Sequence, residues 1–253
     1  MKPKISVITA TRNVGDQITG LYESLRRQTY SNFEWVVMDG VSTDSTLDHL
    51  REMTRESPWV RFSSEADFGL YHAINKAIGA AEGEFYVVAG GDDRFDADAL
   101  AQYAKCLEQD QYDVVLAQVL RAGRRMGGFY PSRGWISPSK VFPSSHSVGM
   151  LFRKDLHARY GLYSRRFPLL ADSYFLKLLL QSGSVRFLDA DFVAGEFAEG
   201  GLSTVNKIQI LSETWQIQML TERSPLFQTL LLMAKIVGRY PSIKKELRAR
   251  DTR

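Results

Sequence analysis

The segment EFYVVAGGDD, residues 84–93, begins like a buried strand and ends in a way that weakens one. Aromatic and β-branched residues at 85–88 favour a strand. Two glycines then interrupt side-chain packing, and the adjacent carboxylates of Asp92 and Asp93 repel each other. We therefore expect the end of this strand to serve a ligand rather than the core.

This strand is the fourth in a chain that alternates between strand and helix patterns. Short apolar runs predict strands, and apolar residues three or four positions apart predict helices. Strands of nearly continuous apolar sequence are typical of a parallel sheet with helices on both faces. The predicted strands are 4–10, 33–39, 60–65, 84–90 and 113–119, and the predicted helices are 17–28, 42–56, 71–81 and 96–109.

The second half of the chain has a less regular pattern. Residues 123–145 are rich in Gly, Pro, Ser and Arg and predict a loop with room for a hairpin. Residues 146–163 predict a strand followed by a short helix or turn. Residues 171–183 predict a helix, and 185–197 predict a strand that runs into a loop.

The composition is that of an ordinary soluble globular protein of 253 residues, of which 44% are hydrophobic and 24% charged. The net charge of +3 is too small to indicate a nucleic-acid partner. Cys106 is the single cysteine and cannot form an internal disulfide, which agrees with a reducing compartment. The N-terminus shows no signal-peptide pattern, and no run reaches the roughly 18 apolar residues of a membrane span. We therefore expect a cytoplasmic protein.

Polar residues follow each of the first four predicted strands. In parallel α/β sheets ligands bind at the carboxyl ends of the strands, so these residues are the candidates for a site. At least three of the four exits contain carboxylates, among them Asp39, Asp67 and Asp93. Several carboxylates along one rim indicate a site for a cation or for sugar and base hydroxyls.

The Asp92–Asp93 pair has two interpretations. A shared hard cation would offset the repulsion, and Mg²⁺ or Mn²⁺ is typically held by one or two carboxylates plus phosphate oxygens of a substrate. The dipeptide alone favours the alternative, a cap of the helix predicted at 96–109, whereas the other acidic exits favour the cation. The chain has neither a G-x-x-x-x-G-K-[ST] motif nor a G-x-G-x-x-G after its first strand. The remaining type of phosphate site is one in which a metal ion and carboxylates hold a diphosphate.

Four segments in order resemble the family 2 inverting glycosyltransferases with the GT-A fold. They are ISVITATRN, WVVMDGVSTDST, SEADFGLYHAINKAIGAAEGEF and VVAGGDD, which lie within residues 4–95, and weaker similarity continues to about residue 205. The subgroup resembled is the bacterial enzymes of exopolysaccharide, capsule and lipopolysaccharide synthesis, of the type found in colanic acid biosynthesis. The resemblance implies metal-dependent transfer, with Mn²⁺ or Mg²⁺, from a nucleotide-diphosphate sugar to a hydroxyl of a glycan or lipid-linked acceptor. UDP is the expected nucleotide, and GDP and dTDP stay open.

The resemblance also implies an architecture. The fold would be a mostly parallel, Rossmann-like sheet with helices on both faces. Residues 1–205 would form the GT-A domain, with a nucleotide-binding half at 1–95 and an acceptor half at 96–205. Residues 206–253 would form a helical, basic C-terminal extension.

Individual roles follow from the same resemblance. Arg12 would lie close to the phosphates, and Asp39 would accept a hydrogen bond from the base. Asp93 would be the main metal ligand, and Asp92 would contact ribose or the metal. The residues implied in nucleotide-sugar binding are Thr9, Thr11, Arg12, Asn13, Asp39, Asp67, Asn75, Lys76, Asp92 and His146. Three positions depart from the family pattern, namely Gly91 at the first D-x-D position, His72 where Asp is frequent, and Ser45 where Gly is usual.

Inverting transfer needs a general base that takes the proton of the acceptor hydroxyl. The family uses a carboxylate at the start of a helix, and in LLADSYFLKLLL the candidate is Asp172. A helix N-terminus favours the ionised carboxylate, and a plain N-cap is the alternative reading. His146 resembles a family position on the acceptor side, where near the diphosphate it would donate a hydrogen bond or bind the metal. Glu196 belongs to a segment that resembles a family loop near the donor.

The tail at 224–253 combines an apolar helical face with a basic end. Residues 239–253 contain six Lys or Arg and two acidic residues, a net charge of +4. Such a helix can lie on an anionic membrane surface, or pack on the domain or on a second subunit. We therefore expect peripheral contact at the inner face of the cytoplasmic membrane or a homo-oligomer, and no nucleic acid.

Two other functions stay open. A sugar nucleotidyltransferase usually has a glycine-rich basic loop after its first strand, and TATRNVGD matches that loop poorly. A non-catalytic subunit that binds nucleotide sugars is disfavoured by the presence of Asp93 and Asp172.

Overall fold

The computed structural model describes residues 4–108, 111–137, 141, 147–197 and 207–251. Within these residues, nine strands form one sheet and eight α-helices accompany it. The strands are β1 (Ile5–Thr11), β2 (Phe33–Asp39), β3 (Val60–Ser64), β4 (Phe85–Val88), β5 (Arg94–Phe95), β6 (Val114–Arg121), β7 (Arg124–Met126), β8 (Met150–Arg153) and β9 (Phe187–Phe197). The helices are α1 (Gln17–Arg26), α2 (Thr46–Glu56), α3 (Leu70–Ala80), α4 (Ala99–Cys106), α5 (Leu156–Tyr160), α6 (Ala171–Ser182), α7 (Lys207–Thr221) and α8 (Pro225–Asp251).

The sheet has the strand order β3-β2-β1-β4-β8-β6-β9-β5, and β7 pairs with β6. β1 is parallel to β2 and β4, and β2 is parallel to β3. β8 is antiparallel to β4 and β6, whereas β6 and β9 are parallel. The expected α/β architecture is confirmed, and its parallel part comprises the first four strands of this order. Beyond them the sheet is mixed, because β8 runs opposite to β4 and β6, and β5 runs opposite to β9.

Two apolar cores lie on opposite faces of the sheet, because successive residues of a strand point to opposite faces. Val7 and Val87 belong to the core that α1, α2 and α4 cover. Ile8 and Tyr86 belong to the core that α3 and α6 cover. Burial on both faces explains why these strands are continuous apolar runs in the sequence.

The helix predicted at 96–109 begins at Ala99, and its N-cap residue is Asp98. Between this helix and the pair at 92–93 lies β5, which is paired with β9. The capping alternative for the carboxylate pair is therefore wrong, because the two carboxylates precede a strand and not a helix.

The helical tail that the sequence predicts consists of α7 and α8. Among the helices that the structure describes, none has the length and apolar content of a membrane-spanning segment. The boundary between domain and extension at residue 205 stays a prediction.

Candidate active site

One cavity of about 870 Å³ opens where β1 and β4 end and where α3 and α6 begin. This is the edge of the sheet at which ligands of parallel α/β folds bind. Its wall contains charged, hydroxyl and aliphatic side chains. The charged and hydroxyl-bearing residues in the wall are Thr11, Arg12, Asp67, Tyr71, Asp92, Asp93, Arg121, Ser137, Tyr163, Asp172, Ser173 and Thr214.

The Asp92–Asp93 pair is held in a tight turn after β4. Oδ2 of Asp93 accepts the amide of Gly90 at 2.7 Å, and the Gly90 carbonyl accepts the amide of Asp93 at 3.2 Å. A Cβ on Gly90 would lie 2.8 Å from Oδ1 of Asp92 and 3.3 Å from Oδ2 of Asp93. Because Gly90 has no side chain, both carboxylates can lie close to its backbone.

Arg94 supports this turn from outside the cavity wall. Its Nη1 donates to the carbonyls of Asp92 at 3.0 Å and Asp93 at 2.9 Å. The guanidinium lies against α1 at Gly20, where an added Cβ would be 1.8 Å from Nη2. Neither Gly20 nor Arg94 is among the residues predicted for the site. The only indication in the sequence is Gly20 itself: Gly inside a helix costs about 1 kcal/mol relative to Ala, so its presence suggests that another group approaches the helix closely.

Asp172 lies in the first turn of α6, half-buried in the cavity wall. It is not the N-cap, which is Leu170, but its Oδ1 accepts the amide of Ser173 at 2.6 Å. Burial raises the pKa of the Asp172 carboxyl, and hydrogen bonds from the Tyr71 hydroxyl and the Ser173 amide act in the opposite direction. A carboxylate of raised basicity in a cavity has the properties of a general base.

Tyr71 and Tyr163 bring two aromatic rings to the wall beside Asp172, with ring centroids 5.5 Å apart. Behind them, the Tyr86 hydroxyl lies 2.8 Å from the Tyr163 hydroxyl and 2.7 Å from Nε2 of His157. Nδ1 of His157 lies 3.0 Å from the Gly161 carbonyl, which accepts only from a protonated nitrogen. Neutral His157 therefore accepts from Tyr86. Burial lowers the pKa of His157, which favours this neutral form.

Four of the predicted nucleotide-sugar residues line the cavity, namely Thr11, Arg12, Asp67 and Asp92. The Thr11 hydroxyl is buried and has no hydrogen-bond partner among the residues that the structure describes. Asp67 accepts the amide of Gly69 through Oδ1 at 2.7 Å, which holds the loop before α3. These residues share the cavity wall with Asp93 and Asp172.

The other described members of that set contact neighbouring protein groups instead. The Thr9 hydroxyl accepts the Trp35 indole at 2.9 Å. Asn13 accepts the amide of Thr43 at 2.8 Å. Asp39 accepts hydrogen bonds from the Ser42 amide at 2.9 Å and the Ser64 hydroxyl at 2.6 Å. The Asn75 side chain donates to the Tyr163 carbonyl at 2.8 Å and accepts from the Tyr163 amide at 3.0 Å. Lys76 forms an ion pair with Glu65 at 3.1 Å. His146 lies outside the described residues.

A carboxylate from the C-terminal extension holds the loop that leads to Asp172. Glu213 of α7 is buried, and its Oε2 accepts the amides of Leu169 at 3.0 Å and Leu170 at 2.9 Å. No pattern in the sequence predicts this contact, since an isolated Glu in a helix gives no indication of a buried partner.

The side chains of the cavity wall supply only part of the ligands that a hard divalent cation needs. In the described ranges, no three His, Cys, Asp or Glu side chains converge on one point. The pair at 92–93 offers carboxylate oxygens in the cavity wall. Mg²⁺ and Mn²⁺ are commonly bound by one or two carboxylates, with substrate phosphates and water in the remaining positions. The pair therefore fits a cation that arrives with a phosphorylated substrate.

Comparison with known proteins identifies similar glycosyltransferases. A glycosyltransferase of PGL/p-HBAD biosynthesis from Mycobacterium bovis (strain BCG / Pasteur 1173P2) is 26% identical over 248 residues, which are 95% of this chain and 92% of the relative. TarS from S. aureus, solved with UDP-GlcNAc, superposes with a TM-score of 0.66 at 20% identity over 94% of this chain and 73% of its own. The mannosyltransferase PcManGT from Pyrobaculum calidifontis, solved with GDP-Man and Mn²⁺, superposes with a TM-score of 0.69 at 21% identity over 100% of this chain and 76% of its own.

The two structural likenesses confirm the expected GT-A fold. The family model described as glycosyl transferase family 2 matches residues 6–165, which is more than half of the chain. The protein is a glycosyltransferase and belongs to glycosyl transferase family 2.

Proposed function

We propose that this enzyme transfers a sugar from a nucleotide-diphosphate sugar, with UDP as the first candidate nucleotide, to a hydroxyl of a glycan or lipid-linked acceptor. The transfer inverts the anomeric centre and serves the synthesis of a bacterial surface polysaccharide. The observation that carries the proposal is that one cavity contains both the carboxylate pair at 92–93 and Asp172 with its raised pKa. The TarS complex with UDP-GlcNAc supports this choice of donor, and the mycobacterial relative named as a biosynthesis glycosyltransferase supports sugar transfer.

The roles of the residues follow from their positions. Arg12 is exposed in the cavity wall and would neutralise part of the diphosphate charge. The buried, unpartnered hydroxyl of Thr11 would bond the nucleotide. Asp92 and Asp93 would hold a divalent cation, Mn²⁺ or Mg²⁺, which when bound offsets the charge of the departing diphosphate. The Mn²⁺ complex of the mannosyltransferase supports the presence of such a cation.

Asp172 would act on the acceptor side of the reaction. Its Oδ1 is engaged by the Ser173 amide, so we assign Oδ2 to the proton of the attacking hydroxyl. The oxygen of that hydroxyl forms the new bond to the anomeric carbon as the bond to the diphosphate oxygen breaks. The raised pKa keeps this carboxylate basic enough to accept the proton.

A variant at Asp172 tests the assignment of the general base. Asp172→Asn should lower the rate of sugar transfer by about 100-fold or more, because a positioned base contributes that much. A matched control is Asp48→Asn, which removes an exposed carboxylate from the first turn of α2, outside the cavity. Unchanged transfer by Asp172→Asn would overturn the assignment of the base.

The metal assignment has its own test. Asp93→Ala and the milder Asp93→Asn should abolish the stimulation of donor turnover by Mn²⁺ or Mg²⁺, with thermal unfolding as the check on folding. Retention of full metal-dependent turnover by both variants would contradict it.

A further inference from the structure

Helix α8 has an inner face that packs on the protein. Gln228 is buried and donates to the Trp135 carbonyl at 3.2 Å. Lys235 donates to the Ile136 carbonyl at 2.6 Å. Leu231 and Leu232 lie beside α7 residues around Trp215. These positions fall on one side of the helix, because residues three, four and seven apart share a face.

The opposite face of α8 is a continuous apolar stripe. Its five members follow each other at intervals of four, three, four and three residues. Their exposed fractions range from 55% to 75%. Contiguous apolar surface of this kind marks an interaction site on a water-exposed protein. The members of this α8 stripe are Leu226, Leu230, Met233, Val237 and Tyr240.

The charge of the chain is concentrated directly beyond the α8 stripe. Residues 239–253 carry a net charge of +4. Because the whole chain has a net charge of +3, residues 1–238 together carry −1. A second copy of the chain would therefore bring the same positive segment, and the rest of that copy would offset it with a net charge of only −1. An anionic lipid surface offers both hydrocarbon for the stripe and negative charge for the basic segment.

We propose that α8 lies flat on an anionic membrane, with the α8 stripe inserted at the headgroup boundary and the basic segment against acidic headgroups. This contact would hold the enzyme at the surface that carries a lipid-linked acceptor. The contact does not depend on the proposed transfer reaction, so vesicle binding and sugar transfer are separate tests.

The test is flotation of the full-length protein with phosphatidylcholine vesicles, with and without about a third of phosphatidylglycerol. We expect binding to the anionic vesicles at low salt and at least tenfold weaker binding to neutral ones or at high salt. Leu230→Glu and Val237→Glu should each lower binding by about tenfold or more, because a charge replaces an inserted apolar side chain. Both positions are more than half exposed, so the fold should tolerate the change.

Leu162→Glu is the matched control, since Leu162 is 54% exposed and lies outside both the α8 stripe and the cavity wall. It should bind vesicles like the wild type. The double variant Lys244→Glu/Lys245→Glu should lose the preference for anionic over neutral vesicles. Absence of binding to anionic vesicles at low salt would overturn the proposal. So would a wild-type dimer in light scattering that Leu230→Glu dissociates, because the stripe would then bind a second copy.

Discussion

The hydroxyl of Tyr71 adjusts the proton affinity of Asp172 across the cavity wall. Burial raises the pKa of Asp172, and the neighbouring Tyr71 hydroxyl, which also lies 3.4 Å from the Leu169 carbonyl, opposes that rise by stabilising the ionised carboxylate. Tyr71→Phe should therefore raise the pKa of Asp172 further. We expect the acidic limb of the pH–rate profile for transfer to move to higher pH, with rates that approach the wild type at alkaline pH.

Tyr174→Phe is the matched control, because it removes a phenol from α6, the helix of Asp172, outside the cavity wall. Its pH–rate profile should coincide with that of the wild type. An equal loss of rate by Tyr71→Phe at every pH would contradict the role in tuning the base and would leave only a packing role for the ring.

The contact between α1 and β5 ties the geometry of the carboxylate turn to a neighbouring element. Ala at position 20 would displace the Arg94 guanidinium from the carbonyls that it bonds at 92 and 93. The same change adds helix propensity worth up to about 1 kcal/mol. Gly20→Ala should therefore leave the free energy of unfolding within about 1 kcal/mol of the wild type and raise the KM for the donor several-fold.

A second glycine separates these two effects. Gly79 of α3 has no atom within 4 Å of an added Cβ. Gly79→Ala should raise the free energy of unfolding by up to about 1 kcal/mol and leave the donor KM unchanged. If Gly20→Ala behaves the same way in steady-state kinetics, the support of the turn by Arg94 is wrong.

Global stability should depend on pH through His157. Burial lowers its pKa below the ordinary value of 6.5, so the unfolded chain binds a proton that the folded protein resists. Its contribution to stability is present above about pH 6.5 and is lost as the pH falls below that value. Denaturant titrations from pH 7 to pH 5 should show a falling free energy of unfolding. His157→Gln should flatten this dependence, and an unchanged slope would contradict the assignment.

The sequence predicts the first half of the molecule well because its strands are buried on both faces and therefore read as apolar runs. It also identifies Asp92 and Asp93, which follow such a strand directly. Asp172 is predicted through resemblance alone. The convergence of Tyr71 with Tyr163 depends on tertiary packing between segments about 90 residues apart, which no local pattern encodes. For the same reason, the sequence does not show that Asn75 and Lys76 contact protein backbone and a neighbouring carboxylate.

The hydrogen bonds from Leu169 and Leu170 to Glu213 bear on how far the catalytic unit extends. A shortened chain that stops at residue 205 would keep every residue of the carboxylate turn and every strand. It would also leave two amides beside Asp172 without their acceptor, and the buried ammonium of Lys177 without Glu222, its partner at 2.6 Å. We therefore expect truncation there to impair the active site, and the minimal enzyme to include α7.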